Sequence, residues 1–326
     1  MAQRNKKLKI LIGEPKNYSP EAISTYRKLG SVLIPKSKKE FNGFLPQADV
    51  LVIRLGIRTD KKLLSKARNL KVIATNTTGL NHIDLEEAKR RGIAIISLRG
   101  HTAFLEKIHA TPELTFGLIL SLVRNIPRAF DGVRKGEWDR NKYGGNDLCG
   151  KTLGLLGLGR IGKLVAGYGR TFGMKVMACD PFVADAEFKS LGAKKVGMDQ
   201  LFKESDVVSV HVLYTPEIDK MIGEKHFKLM KKSGFFINTA RGELVDETAF
   251  LKALKEKKIA GAAIDVLRDE RPDGGHLKNN LLLKYAVENN NLIITPHIGG
   301  ATLEAWRATE EFLANLVTER VKVLNK

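Results

Sequence analysis

The string Gly157-Leu158-Gly159-Arg160-Ile161-Gly162 constrains this chain more than any other stretch. It follows the apolar run 152–156 and opens a helical pattern over 163–172, so it reads as the tight turn between a strand and a helix. Gly157 permits the turn, Gly159 lets a pyrophosphate approach the backbone, and Gly162 lets the helix lie close to its strand. Arg160 and Ile161 complete the loop, and the helix N-terminus supplies free N–H groups and a positive dipole end for phosphates. Eighteen residues past Gly162, at the end of the run 175–179, stands Asp180. A carboxylate there accepts from adenosine ribose hydroxyls and repels a 2′-phosphate, so the expected cofactor is NAD. The plainer use of Asp180 is as a turn residue before Pro181.

Short β-rich runs alternate with helical patterns along most of the chain, which argues for parallel sheets joined by crossover helices. Strands are expected over 8–12, 31–34, 49–53, 70–75 and 93–97, then over 152–156, 175–179, 207–212, 235–238, 259–264 and 292–295. A helix is expected over 112–125, and a final one over 303–324 with Trp306, Phe312, Leu313, Leu316 and Val317 spaced to dock. With 326 residues, the chain exceeds what one core sustains. The expected fold class is α/β: two Rossmann-like or flavodoxin-like domains with parallel sheets, the cofactor domain (105–296) inserted into a substrate domain (1–104 plus 297–326).

Composition narrows the partners. The net charge is +19, and residues 1–104 hold 21 basic against 8 acidic residues, a net +13. Those lysines and arginines are scattered, with no basic helix interleaved with aromatics, so a solvated basic face is expected, and neither a nucleic-acid surface nor a membrane one. The longest apolar stretch, 114–123, is too short to span a bilayer, and the opening residues carry no apolar segment of signal-peptide length. Two cysteines, Cys149 and Cys179, form no metal-type spacing, so no metal is expected, and a reducing cytoplasm fits.

Three ionisable residues follow three expected strands: Arg241 after 235–238, Glu270 after 259–264 and His297 after 292–295. Open α/β sheets build their sites at such strand ends. Reduction of a 2-keto acid needs a cation for the carboxylate and carbonyl, which the planar arginine fork supplies. It also needs a proton donor, and histidine titrates near neutrality. A carboxylate beside the imidazole fixes its orientation and favours its charged form. Taken singly, each has a plain alternative as a surface ion pair, a solvated acid or a structural histidine.

Together with the glycine loop, Asn238-Thr239-Ala240-Arg241-Gly242, the run from Asp265 to Glu270, and Pro296-His297-Ile298-Gly299-Gly300 resemble the signatures of the D-isomer-specific 2-hydroxy acid dehydrogenases. The resemblance covers nearly the whole chain. It implies that Arg241 binds and polarises the substrate, that His297 is the proton donor and acceptor, and that Glu270 is its carboxylate partner. It further implies that Asp265 meets the nicotinamide carboxamide, and that His211, Val212, Thr239, Ala240, Gly299 and Gly300 line the cofactor. Thr78 and Gly79 match a loop whose amides hold the substrate carboxylate, and Arg54 matches a substrate-contacting arginine. Homodimers are usual in this family.

Within the family, Gly136-Glu137-Trp138-Asp139-Arg140 and Gly150-Lys151-Thr152-Leu153-Gly154 are similar to the phosphoglycerate dehydrogenase branch, and a phosphate would suit the basic first domain. The segment 97–112 departs from the family's usual link. The substrate therefore stays open among 3-phosphoglycerate, glyoxylate, hydroxypyruvate and other 2-keto or 2-hydroxy acids. A non-catalytic, NAD-sensing, corepressor-like binding protein is the alternative of a different class.

Overall fold

The computed structural model describes residues 7–271 and 274–324. The basic lead-in before Lys7 and the last two residues of the expected substrate domain lie outside the described residues. Among the described residues two compact units result, one holding Lys7–Lys107, Arg271, Gly274, Gly275 and the chain from Thr302 onward, the other Ile108–Glu270 and His276–Ala301.

The first unit is a five-stranded parallel sheet in the order β2-β1-β3-β4-β5. Its strands are β1 (Leu8–Ile12), β2 (Gly30–Leu33), β3 (Val50–Ile53), β4 (Val72–Thr75) and β5 (Ala94–Ile96). β3 and β4 are buried at every residue, which is why their sequences run apolar without alternation. The final helix, Leu303–Leu324, returns to this sheet and buries Leu313, Ala314, Val317 and Val321 beside Tyr18, Ala22 and Tyr26. Segment 97–112 is divided, its residues up to Lys107 in this unit and the rest opening the helix Ala110–Val123 of the other. Thr102–Leu105 makes a single helical turn whose Phe104 ring stacks on Phe312, centroids 3.9 Å apart, while His101 meets the same ring edge-on.

The second unit is a seven-stranded sheet in the order β12-β11-β10-β9-β6-β7-β8, with every pairing parallel. Its strands are β6 (Thr152–Leu156), β7 (Lys175–Cys179), β8 (Ala193–Lys195), β9 (Val207–Val210), β10 (Phe235–Asn238), β11 (Gly261–Ile264) and β12 (Leu292–Ile294). The chain runs outward from β6 to β8, then restarts on the other side at β9, so the order reverses between β6 and β9. Ligand crevices form outside the carboxyl ends of strands at such a reversal. The strand β8 had no counterpart among the expected strands. It is three residues long, lies at the edge, and exposes Lys194 and Lys195, so it carries no apolar period to read.

The outer switches between units fall at 107/108 and 301/302, a few residues beyond the expected 104/105 and 296/297, and the chain also leaves the second unit at 270/271 and rejoins it at 275/276. The physical reason is that residues 297–299 are tied to the seven-stranded sheet. Asp265, at the end of β11, accepts from the backbone N–H groups of Ile298 and Gly299, and its carbonyl accepts from that of His297. Among the described residues, no helix is long and apolar enough to cross a membrane.

Candidate active site

In a parallel sheet all strands end on the same edge, so strand order alone decides which loops are neighbours. β10, β11 and β12 are adjacent, with Asn238, Ile264 and Ile294 in register. The loops that leave them carry Arg241, Glu270 and His297. On the other side of β9, the glycine loop leaves β6 and Asp180 leaves β7.

The glycine loop has the form a dinucleotide requires. Gly157 sits at φ +95°, and a Cβ there would stand 2.8 Å from the His211 carbonyl carbon. A Cβ on Gly162 would lie 2.3 Å from the Gly157 oxygen, so the helix start presses directly on the turn. At Gly159 the corresponding position meets no protein atom within 4 Å. The loop is therefore closed beneath and open above, where the helix Arg160–Thr171 begins without a side-chain cap. Asp180 accepts from the Leu158 and Phe182 N–H groups at 2.9 Å each, one per carboxylate oxygen, which leaves lone pairs on both. These residues fit the diphosphate and ribose of a dinucleotide. Ile161 packs into the core below, and Arg160 donates to the Ile108 carbonyl at 3.1 Å.

His211 lies beneath the same loop, its N–H bonded to the Leu156 carbonyl at 2.7 Å and its Nε2 2.9 Å from the Ser209 hydroxyl. Burial pushes the imidazole down to about 3, so it is neutral at physiological pH. Val212 beside it is half-buried against the core.

On the other side, His297 Nδ1 lies 2.5 Å from Glu270 Oε2, and Glu270 Oε1 accepts from the Leu267 N–H at 2.8 Å. Burial raises the Glu270 carboxyl, but the His297 contact, the Leu267 N–H and the Arg241 charge outweigh it and hold the group below its usual range. His297 itself is left-handed, at φ +53°. That conformation is held by Asp265, whose Oδ1 accepts from Thr295 Oγ1 at 2.5 Å and from the Ile298 N–H at 2.9 Å, and whose Oδ2 accepts from the Gly299 N–H at 2.7 Å. Burial pushes the Asp265 carboxyl up despite these donors. Gly300 is exposed at the end of this turn.

Arg241 is largely enclosed, donates to the Ala240 carbonyl at 2.6 Å, and has its pKa lowered by burial against the attraction of Glu243 and Glu270. Asn238 shapes its turn, accepting from the Ala240 N–H and donating to the Arg241 carbonyl. The Thr239 hydroxyl faces inward to Thr115 at 2.7 Å, leaving its backbone for any ligand.

In the five-stranded unit, Thr78 and Gly79 sit in a loop braced by Thr77, whose hydroxyl donates to the Gly79 carbonyl at 2.8 Å and contacts that of Thr75 at 3.0 Å. Arg54 is committed to its own protein. It lies between the Tyr18 and Trp306 rings, and its Nε donates to Glu310 Oε1 at 2.8 Å. Its Nη2 also meets Glu310, and its remaining bonds go to the Lys16 and Asn17 carbonyls. Glu310 has no solvent contact. Reading the sequence missed this pair because 256 positions separate its members. It likewise missed the role of Thr295, which became a neighbour of Asp265 only through the β11–β12 pairing.

Residues 116–299 match the family described as D-isomer specific 2-hydroxyacid dehydrogenase, NAD binding domain. The chain is 37% identical over 318 residues to D-3-phosphoglycerate dehydrogenase of Methanocaldococcus jannaschii, 97% of this chain but 57% of that protein. It thus spans little more than half the length of that curated relative. Over 279 residues it is 40% identical to glyoxylate reductase of Thermococcus litoralis, covering 83% of this chain and 80% of that protein. Among solved structures, D-lactate dehydrogenase from Aquifex aeolicus, complexed with NAD and lactic acid, aligns with a TM-score of 0.79 and 32% identity over 96% of this chain and 95% of that one.

The neutral His211, enclosed but not wholly removed from solvent, makes stability depend on pH. Its ring takes a proton near 6.5 when unfolded but only near 3 when folded, so the unfolded chain binds more protons between those values. Stability should be complete above about pH 6.5 and fall as pH drops toward 3, by up to about 1.4 kcal/mol per pH unit from this group. His211→Gln should flatten urea-derived unfolding free energies between pH 5 and 6.5. An identical slope in wild type and variant would show that His211 is not the group responsible.

Proposed function

The chain belongs to the D-isomer-specific 2-hydroxyacid dehydrogenase family, and from that premise we propose that it is an NAD-dependent enzyme interconverting a short 2-keto acid and its D-2-hydroxy acid. The observation that carries this reading is the His297–Glu270 contact between the loops that follow β12 and β11, with Arg241 on the loop after the next strand, β10, in the unit that holds the dinucleotide loop. NAD, when bound, supplies or accepts the hydride. Because Nδ1 of His297 is taken by Glu270, Nε2 is the nitrogen left to hand a proton to the substrate oxygen, or to take one from it. Glu270 orients that ring and stabilises its charge. Arg241 keeps a guanidinium for the carboxylate and polarises the carbonyl. Thr78 and Gly79 are assigned to the substrate carboxylate on the family resemblance alone, and Asp265 has one lone pair left for the carboxamide beside its work on the His297 turn.

For the substrate, the Arg54–Glu310 pair favours a keto acid without a distal phosphate, since a phosphate would have to compete with a buried carboxylate for the same cation. A second reading, 3-phosphoglycerate oxidation, is supported by the 37% identity to a phosphoglycerate dehydrogenase over nearly the whole chain. NADH absorbance with glyoxylate, hydroxypyruvate and phosphohydroxypyruvate separates the two. Glyoxylate or hydroxypyruvate should have the highest kcat/KM, and His297→Ala should lower kcat on it by about a hundredfold or more while NADH still binds. Preference for phosphohydroxypyruvate, lost in Arg54→Ala, would select the second reading. Turnover of none by wild type would favour the sensing alternative.

Asp180 supports NAD over NADP. Wild type should use NADH far better than NADPH, and Asp180→Ala should narrow the gap by removing the carboxylate that repels a 2′-phosphate. Equal use of both by wild type would contradict this assignment.

The proposal includes a homodimer. On the helix Ile126–Arg134, Ile126, Phe130 and Val133 are exposed along one face, and Trp138 just beyond is 90% exposed. An apolar face of that kind fits a second copy of the chain. Sedimentation should give twice the chain mass, shifting toward monomer in Phe130→Asp/Trp138→Asp. A monomeric wild type would exclude the dimer.

A further inference from the structure

Glu270 reaches His297 at the end of a six-residue loop that starts at Asp265, and nothing in the proposed chemistry uses Arg268 within it. Yet Arg268 ties the loop by a forked ion pair to a different strand's loop. Its guanidinium makes two parallel bonds to Asp219, Nη1 to Oδ1 and Nη2 to Oδ2, both 3.0 Å. Both side chains are about 30% exposed, so the fork is partly withdrawn from water. Its backbone N–H donates to Glu247 Oε1 at 2.8 Å, at the start of the helix Glu247–Lys255. Gly242 lies flat beneath, where a Cβ would come within 2.4 Å of the Leu267–Arg268 peptide. Asp269 then turns the chain through φ +54°, and Glu270 closes the loop on the Leu267 N–H.

Asp219 follows the short helical turn Pro216–Ile218 after β9, whereas Arg268 follows β11. The fork therefore spans the loops of two strands that flank β10, the strand leading to Arg241. Four carboxylates face Arg268: Asp219, Glu243, Glu247 and Asp269. Without the cation their mutual repulsion would open this corner, two residues from Glu270.

We infer that the Arg268–Asp219 fork is a positioning device that sets the 265–270 loop so that Glu270 meets His297. This rests on the reading of His297 as the proton carrier. Neither member touches the reacting atoms, so the device acts on the histidine through Glu270. A displaced carboxylate costs rate because the imidazole is no longer held in line with the substrate.

The test is a double-mutant cycle on the full chain, with Arg268→Ala, Asp219→Ala and the pair together, beside Glu270→Gln. Each single variant should lower kcat about tenfold, with NADH KM and thermal midpoint little changed, and the double variant should be no worse than either. The pH–rate profile of Arg268→Ala should move toward that of Glu270→Gln. The His297 ring ¹⁵N resonances, read without substrate, should move the same way. Arg268→Lys, which keeps the charge but loses the fork, should give a smaller change of the same sign and guards against poor folding of the alanine variant. Additive losses, or ¹⁵N signals identical to wild type, would overturn the inference. A fall in kcat matched only by a fall in thermal midpoint would also overturn it. If wild type reduces no 2-keto acid, the enzymatic reading fails, while the ¹⁵N comparison still decides whether the fork positions the pair.

Discussion

Asp265 is buried at the end of β11 and spends both carboxylate oxygens on the turn that follows the neighbouring strand, taking one hydroxyl and two backbone N–H groups. A left-handed backbone at a residue as bulky as histidine is costly, and it persists only where its surroundings over-determine it. Here the His297 N–H bonds to the Asp265 carbonyl while the next two N–H groups bond to the Asp265 side chain, so one residue holds three successive positions. A neutral or shorter side chain could not satisfy the same donors. The placement of the imidazole, its contact with Glu270 and the boundary of the unit all depend on this carboxylate.

The rest of the seven-stranded unit follows from parallel order. β9 and β6 meet at the reversal, with the glycine loop and His211 on either side of it. Arg241, Glu270 and His297 come from three consecutive strands farther along the same edge. Dinucleotide-fitting loops and ionisable groups thus share one edge without any loop having to travel. The His211 ring contributes by staying uncharged beneath a loop whose positive helix end is suited to phosphates, where a second cation would be poorly solvated.

The five-stranded unit shows how a charge can be present in the sequence and absent from the solvent. Arg54 is one of the basic residues that make this unit strongly positive, yet its guanidinium is held between two aromatic rings and against Glu310. Removing either partner would leave the other buried and uncompensated, which is why such a pair joins β3 to the final helix more firmly than a surface bridge would. Formal charge along the chain therefore overstates what an approaching anion meets.

Much of the architecture is legible in the sequence because local physics writes it there. Parallel strands with buried centres must be apolar through those centres, so 152–156, 175–179 and 235–238 could be read to the residue although Lys175 at the start of one is exposed, and the glycine loop marks its own turn by the space that a Cβ would need. The three ionisable residues were legible as strand-end groups. What only the tertiary structure decided is pairing at long range. Residues 265 and 295, 54 and 310, and 219 and 268 are adjacent because of strand order and helix docking, and no spacing in the chain encodes that order. Strand β8 escaped because a short edge strand buries too little to need an apolar pattern. Within segment 97–112 the turn Thr102–Leu105 escaped because it is held by a ring stacked on Phe312, more than 200 residues away.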